Sequence, residues 1–165
     1  MGEPLLLSQF FRDHGGRVRD EFLAEFDGAF ILARFHGSPP TLSPLSRDPE
    51  KALTIGSDED CDLDFDDPTL DAVHAVITYH PGFRGWTIED KGTNFGTHVD
   101  GDRIGSERAT LLADKGVIKP GGGLCELQFY ASETLYDRIK KAGVTRSLSR
   151  LRRPGSGRAP RAPGS

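Results

Sequence analysis

The stretch from Ala52 to Ala75, ALTIGSDEDCDLDFDDPTLDAVHA, together with Glu89 to Gly101, EDKGTNFGTHVDG, decides how this 165-residue chain is read. In the first, Asp60, Asp62, Asp64 and Asp66 alternate with Cys61, Leu63 and Phe65. On a strand, a period of two puts the carboxylates on one face and the apolar side chains on the other. In the second, Gly92, Gly96 and Gly101 punctuate short polar and β-branched runs, which is the punctuation of tight loops.

Working outward, the same alternation recurs at close intervals. The sequence predicts strands at Ala29–Phe35, Ala52–Ile55, Asp62–Phe65, Ala75–Tyr79 and Gly85–Glu89. Further strands are predicted at His98–Val99, Ala109–Leu112, Val117–Ile118 and Leu124–Tyr130. Short β-branched and aromatic runs separated by Gly, Asp and Pro predict an all-β chain, an antiparallel β-sandwich over residues 29–131. The proline-rich segment Gly37 to Pro49 reads as a loop, and His80 to Gly85 as a hairpin turn. Tyr79 and Trp86 are expected to pack across a strand pair.

Helical spacing appears only at the two ends of this unit. Leu7, Phe10 and Phe11, then Val18, Phe22, Leu23 and Phe26, predict an N-terminal amphipathic extension over residues 1–28, interrupted at Gly15-Gly16. Its Leu/Phe stripe is expected to cover a sheet edge or to form a partner face, since a bare stripe would be an exposed apolar patch. Ser132 is expected to cap a short helix over 132–143, with Glu133 and Asp137 early, Lys140-Lys141 late and Gly143 at its end. Residues 144–165 are rich in Arg, Ser, Gly and Pro, cannot bury enough surface to fold alone, and read as a disordered basic tail.

Charge is strongly partitioned. Residues 1–137 carry all 25 acids and 12 bases, whereas residues 138–165 carry nine bases and no acid. The tail, with Arg146, Arg150, Arg152, Arg153, Arg158 and Arg161, suits an acidic protein surface or nucleic acid, the acidic Asp58–Asp71 surface of this chain included. Two cysteines, Cys61 and Cys125, are too few for a disulfide framework and read as buried thiols in a reducing compartment. No apolar run approaches the roughly 20 residues of a membrane span, and the leucine-rich start lacks the basic region and cleavage site of a secretion signal. Nor is Met1-Gly2 a myristoylation site, because Leu6 stands where Ser or Thr is needed. No membrane insertion and a cytoplasmic location are the expectations.

The motif residues Ile55, Gly56, Asp62, Leu63, Asp66, Pro68, His74, Ala75, Gly96, Thr97, Val99 and Gly101 resemble the forkhead-associated (FHA) domain family. The resemblance implies an FHA/SMAD-like sandwich whose loops grip a phosphothreonine on a partner protein. In that family the pattern runs Ile-Gly-Arg, then Ser-Arg-x-His-Ala, then Ser-x-Asn-Gly-Thr. Here Ser57 replaces the first Arg, Asp71 the Ser, Ala72 the second Arg and Phe95 the Asn. Phosphate needs charged forks and hydroxyl donors, and this chain is degenerate where the family supplies them.

The expected partner-binding residues are Ser57, Asp58, Asp71, Ala72, Thr93, Asn94, Phe95 and Gly96. Gly56, His74, Thr97 and Gly101 are expected to be structural, with His74 ordering loops rather than acting as a base. The chain reads as a non-enzymatic protein–protein interaction module of the FHA type, independent of phosphothreonine, with no cofactor. The first alternative is a phosphothreonine-binding signalling adaptor that recruits Arg84, Arg103 or a backbone amide. A calcium-dependent module is the second, since Asp60, Asp62, Asp64, Asp66 and Asp71 fall at EF-hand spacing. Phe65 occupies the position where that loop needs Gly, however, and no flanking helices are predicted. No metal or catalytic residue is assigned.

Overall fold

The computed structural model describes residues 4–142, so the basic tail lies outside the described residues. The chain begins with β1 (Leu5–Leu6), α1 (Leu7–His14), α2 (Arg19–Glu25), β2 (Ala29–Phe35), β3 (Thr41–Leu45), β4 (Leu53–Gly56) and β5 (Leu63–Asp64). It continues with β6 (Ala75–His80), β7 (Gly85–Asp90), β8 (Thr97–Val99), β9 (Asp102–Arg103), β10 (Thr110–Leu111), β11 (Val117–Pro120) and β12 (Cys125–Ala131). A helix over 132–142, here α3, follows.

The strands form two sheets, one of seven strands in the order β1-β3-β2-β12-β11-β8-β9 and one of five in the order β10-β7-β6-β4-β5. Ile31, Ile55, Ile77, Ile88, Ile118 and Leu127 fill the space between them. This is the expected β-sandwich, with one departure from antiparallel pairing: β4 and β5 run parallel, Ile55 opposite Leu63. Tyr79 does face Trp86 across β6 and β7, ring centroids 4.9 Å apart. The Trp86 indole N–H donates to the Ser46 carbonyl at 2.9 Å.

The run AFILARF explains the rest of the architecture. Five consecutive residues of β2, Ala29 to Ala33, are buried, which requires cover on both faces of the sheet. Ala29, Ile31 and Ala33 point between the sheets, whereas Phe30 and Leu32 point out into a second core with Phe10, Phe22, Leu42, Tyr130, Leu135, Tyr136 and Ile139. The helices from both ends of the chain supply that second layer. They cover the face of the seven-stranded sheet, while only β1 extends its edge, beside β3. The Tyr136 hydroxyl donates to the Arg17 carbonyl at 3.0 Å and Lys140 Nζ to the Gly15 carbonyl at 3.2 Å, locking α3 to the α1–α2 connection.

Three local expectations change. The proline-rich segment contains β3, with Pro44 lying past the two residues that β1 covers, where the strand is an edge and proline is tolerated. Ser132 does not cap α3: it is buried and its hydroxyl has no partner. Asp114 braces the helix start from a loop instead, accepting from the Ala131 N–H at 2.8 Å, just before the helix, and from the Thr134 hydroxyl at 2.5 Å. Finally, the aspartate run is only partly strand, because residues 57–62 form a turn before β5. Among the described residues no helix is long and apolar enough to cross a membrane.

Phe22 is fully buried and meets the rings of Phe10, Phe26, Phe30 and Tyr136. Phe22→Ala is expected to cost about 3–5 kcal/mol in urea unfolding, whereas Val18→Ala, at an exposed position, stays within about 0.5 kcal/mol. Equal, small losses for both would mean that the helical layer adds nothing to the stability of the sheet.

Candidate functional site

The parallel β4–β5 pair forces the chain to turn sharply at the end of β4, and the turn is held by backbone against backbone. A Cβ on Gly56 would come within 2.1 Å of the Ala72 carbonyl oxygen, so only glycine fits there. Beyond it, the Ser57 N–H donates to the Asp71 carbonyl at 3.0 Å and the Asp58 N–H to the Ala72 carbonyl at 3.2 Å. The Cys61 thiol donates to the same Ala72 oxygen at 3.1 Å. Burial, reinforced by Asp58 and Asp62, pushes that thiol above its ordinary range and outweighs the Thr54 and Asp58 hydrogen bonds that oppose it.

His74 ties this turn to the β7–β8 loop. Its Nδ1 accepts from the Asp71 N–H at 3.1 Å, which leaves the proton on Nε2, 2.8 Å from the Gly96 carbonyl. The ring is fully buried. Both nitrogens are therefore occupied by the backbone, the arrangement of a loop-ordering histidine.

Beneath it lies Asp90, a residue the sequence reading passed over. Its Oδ1 accepts from the Thr93 hydroxyl at 2.7 Å and the Thr97 hydroxyl at 2.8 Å. Its Oδ2 accepts from the N–H groups of Gly92 and Thr93 at 3.1 and 3.0 Å. Burial alone would raise this carboxyl, but the Thr93 and Thr97 donors and the neighbouring His74 ring hold it below its ordinary value of 3.8. The signal was present in Asp90-Lys91-Gly92-Thr93: an aspartate two and three residues before a glycine and a threonine makes such a turn.

The expected contact residues divide into two sets. Ser57, Asp58, Asp71, Ala72, Asn94 and Phe95 are exposed, and the loops carrying them meet at one end of the sandwich. Thr93 and Gly96 are buried instead. The Thr93 hydroxyl is consumed internally, accepting from the Gly96 N–H at 3.0 Å, so Thr93 supports the loop and does not face a partner. Gly96 adopts a left-handed φ of 74°, which makes it a turn residue. Thr97 is fully buried on Asp90. Gly101, with Asp100, supplies the two positive φ values of a tight β8–β9 hairpin, and β9 itself went unseen as a two-residue strand.

Phe95 is 55% exposed and Val73 43% exposed, on the two loops that the His74–Gly96 bond joins. Arg103 lies alongside: its guanidinium donates to the Asn94 carbonyl at 3.2 Å and packs over Gly96. Arg84 is placed differently. His80 pairs with Gly85 and Ala75 with Asp90, so the Arg84 hairpin sits at the opposite end of β6 and β7, about 17 Å away.

The aspartate run does not converge. The Asp58 carboxylate accepts from the Asp60 N–H, Asp62 from the Thr54 N–H and hydroxyl, and Asp67 from the Thr69 N–H and hydroxyl. Among the described residues no three acid, His or Cys side chains are grouped to hold a metal ion.

Residues 53–121 match the family model described as the FHA domain. Among solved structures, the FHA domain of the CT664 protein from Chlamydia trachomatis is 21% identical over 62% of this chain and 96% of its own, with a TM-score of 0.53. The N-terminal FHA domain of S. cerevisiae Rad53p, solved with a phosphothreonine peptide, is 18% identical over 70% and 98%, TM-score 0.54. The MEK1 FHA domain is 19% identical over 68% and 99%, TM-score 0.55. No curated protein matches the chain significantly. The two-sheet sandwich thus has the fold of these FHA domains.

Two outcomes are expected. Gly56→Ala should destabilise by about 2 kcal/mol or more, because the intruding atom meets backbone that cannot rotate away. Asp90 has a depressed folded-state pKa, so its contribution is complete above 3.8 and lost as pH falls through the lower folded value. The stability gap between wild type and Asp90→Asn, read from urea midpoints, should be widest near neutrality and shrink in the acid range. A pH-independent gap would remove the carboxylate charge from the account.

Proposed function

We propose that this FHA-type sandwich is a non-enzymatic protein-interaction module whose loop end engages its partner without depending on phosphothreonine. One observation carries the reading: Asp71, exposed, stands on the loop where the family's phosphate-binding serine is expected, beside an equally exposed Ser57 that brings no charge. A phosphate carries close to two negative charges. Against a carboxylate about 4 Å away, each charge pair costs roughly 4 kcal/mol at an effective dielectric of about 20. The whole affinity of a micromolar complex is about 8 kcal/mol, so the repulsion alone is of the size of the binding energy. Val73 and Phe95 offer exposed apolar anchors in place of a phosphate grip. Burial and two backbone partners support a loop-ordering role for His74. Both thiols are free and buried, which suits a reducing, cytoplasmic setting.

A second reading has one observation in its favour. Arg103, packed over Gly96 at the loop end, is a cation within the same loop cluster and makes a substitute phosphate donor conceivable there. Arg84, at the far end of the sheet, does not support it.

The two readings separate in a titration of degenerate phosphothreonine peptides against their unphosphorylated copies. Wild type is expected to show no phosphate preference, while Ser57→Arg/Asp71→Ser gains one of about tenfold or more. A phosphate preference in wild type that disappears in Arg103→Ala would establish the second reading and overturn the first.

A further inference from the structure

On the side of the sandwich where β5 is an edge strand, the two sheets part and leave a cleft of about 350 Å³. Ala33 and Phe35 from β2 and Leu63 and Phe65 from the opposite sheet give it an apolar floor. Phe35 and Phe65 touch across it, ring centroids 5.2 Å apart. Asp64 and Asp66 stand exposed on its lip. Neither takes part in any ion pair found among the described residues. Apolar floor and acidic lip together call for an occupant that carries leucine-like and cationic side chains close together. The volume lies at the small end of the roughly 300–1,000 Å³ range of ligand sites, enough for a few side chains rather than a folded element.

The chain contains such a segment. Residues 146–153 read RSLSRLRR: two leucines three residues apart among four arginines, within a terminal stretch that has no acid at all. Described structure ends at residue 142 on the outer face of the seven-stranded sheet. Leu148 and Leu151 follow six and nine residues later, an extended reach of about 20 and 30 Å. That reach exceeds the roughly 10 Å separation of packed sheets.

We propose that Arg146–Arg153 docks across this cleft in the same molecule, its leucines on the Phe35–Phe65 floor and its arginines against Asp64 and Asp66. The docked segment adjoins the acidic loop that leads to Ser57 and Asp71, so it screens the loop end from partners until displaced. Ser147 and Ser149 lie within it. Phosphate on either adds about −1.5 to −2 charges opposite an acidic lip and releases the segment. The proposal does not depend on how the loop end recognises its partner.

Amide hydrogen exchange on the full chain tests it through both surfaces at once. Wild type at low salt should protect residues 147–151 and the edge-strand amides 63–66, each losing about tenfold protection at high salt. Leu148→Asp/Leu151→Asp should expose 63–66, and Asp64→Arg/Asp66→Arg should expose 147–151, by a similar factor. Adding Arg150→Asp/Arg152→Asp to the cleft variant should restore protection, which a merely misfolded cleft would not do. Tail amides exchanging at free-peptide rates in wild type, indifference of 63–66 to the tail substitutions, or failure of the charge swap would each overturn the proposal. So would protection that vanishes on tenfold dilution, because the occupant would then be a second copy.

Discussion

A single buried carboxylate holds the loop end together. Asp90 takes four hydrogen bonds, three from Gly92 and Thr93 of its own loop and one from Thr97, and its neighbour His74 reaches from there to the opposite loop. Each charge-assisted bond is stronger than a neutral one, and a buried carboxylate without such donors would be costly to keep ionised. The consequence is geometric. Because Thr93 is bonded to Asp90 and to the Gly96 N–H, and Gly96 to His74, the backbone of the β7–β8 loop is fixed before any partner arrives. Preorganised loops lose less entropy on binding, so on the reading proposed above the network contributes to recognition while touching nothing in solvent.

The second constraint is double-sided burial of β2. A strand with apolar residues on both faces cannot be the outer layer of a two-sheet sandwich, and Phe30 and Leu32 would otherwise face water. The helical ends of the chain resolve this by packing Phe10, Phe22, Leu135, Tyr136 and Ile139 against the sheet in a separate outer core. That core is rich in rings, with Phe10, Phe22, Phe26, Phe30 and Tyr136 in successive edge or tilted contacts. It braces the sheet opposite the one that ends in β5 and carries Gly56. The loops are therefore mounted between a stiffened sheet and a thinner one.

Much of this was legible because the signals are local. Ala29–Phe35 and Ala75–Tyr79 announce themselves by composition, and Gly15-Gly16 marks the break between the two N-terminal helices. The resemblance at Ile55-Gly56 and His74-Ala75 placed the loops as well as the fold. What escaped reading depends on tertiary context. β3 hides in a proline-rich run because Pro44 is acceptable only where no strand lies beyond it. Ser132 has the right residue type for a cap, yet it is buried with its hydroxyl unbonded, while Asp114, 18 positions earlier in sequence, braces the helix start through Ala131 and Thr134. Thr93 sits in a loop of exposed residues, and only the position of Asp90 shows that its hydroxyl turns inward. A one-dimensional pattern records residue type and spacing, not which side of a loop faces the protein.

The division between buried and exposed loop residues also shows how such a scaffold can change what it recognises. His74, Asp90, Thr93 and Thr97 are buried and hydrogen-bonded in one network, and Gly56 is buried against the Ala72 carbonyl, so substitution at any of them costs folding energy. Ser57, Asp71, Ala72, Asn94 and Phe95 are exposed, and surface changes away from caps and networks ordinarily move stability by no more than about 0.5 kcal/mol. Contact chemistry at these positions is therefore nearly free to drift while the loop backbone stays in place. Here Asp71 and Phe95 place an acid and an aromatic ring among them, and the run from Ser57 to Asp71 contains eight acids and no base. Electrostatics of that sign select against anionic partners at encounter as well as in the bound state. On the reading proposed here, the retained backbone geometry and the reversed surface charge are consistent, because recognition then rests on shape, apolar contact and cationic partners.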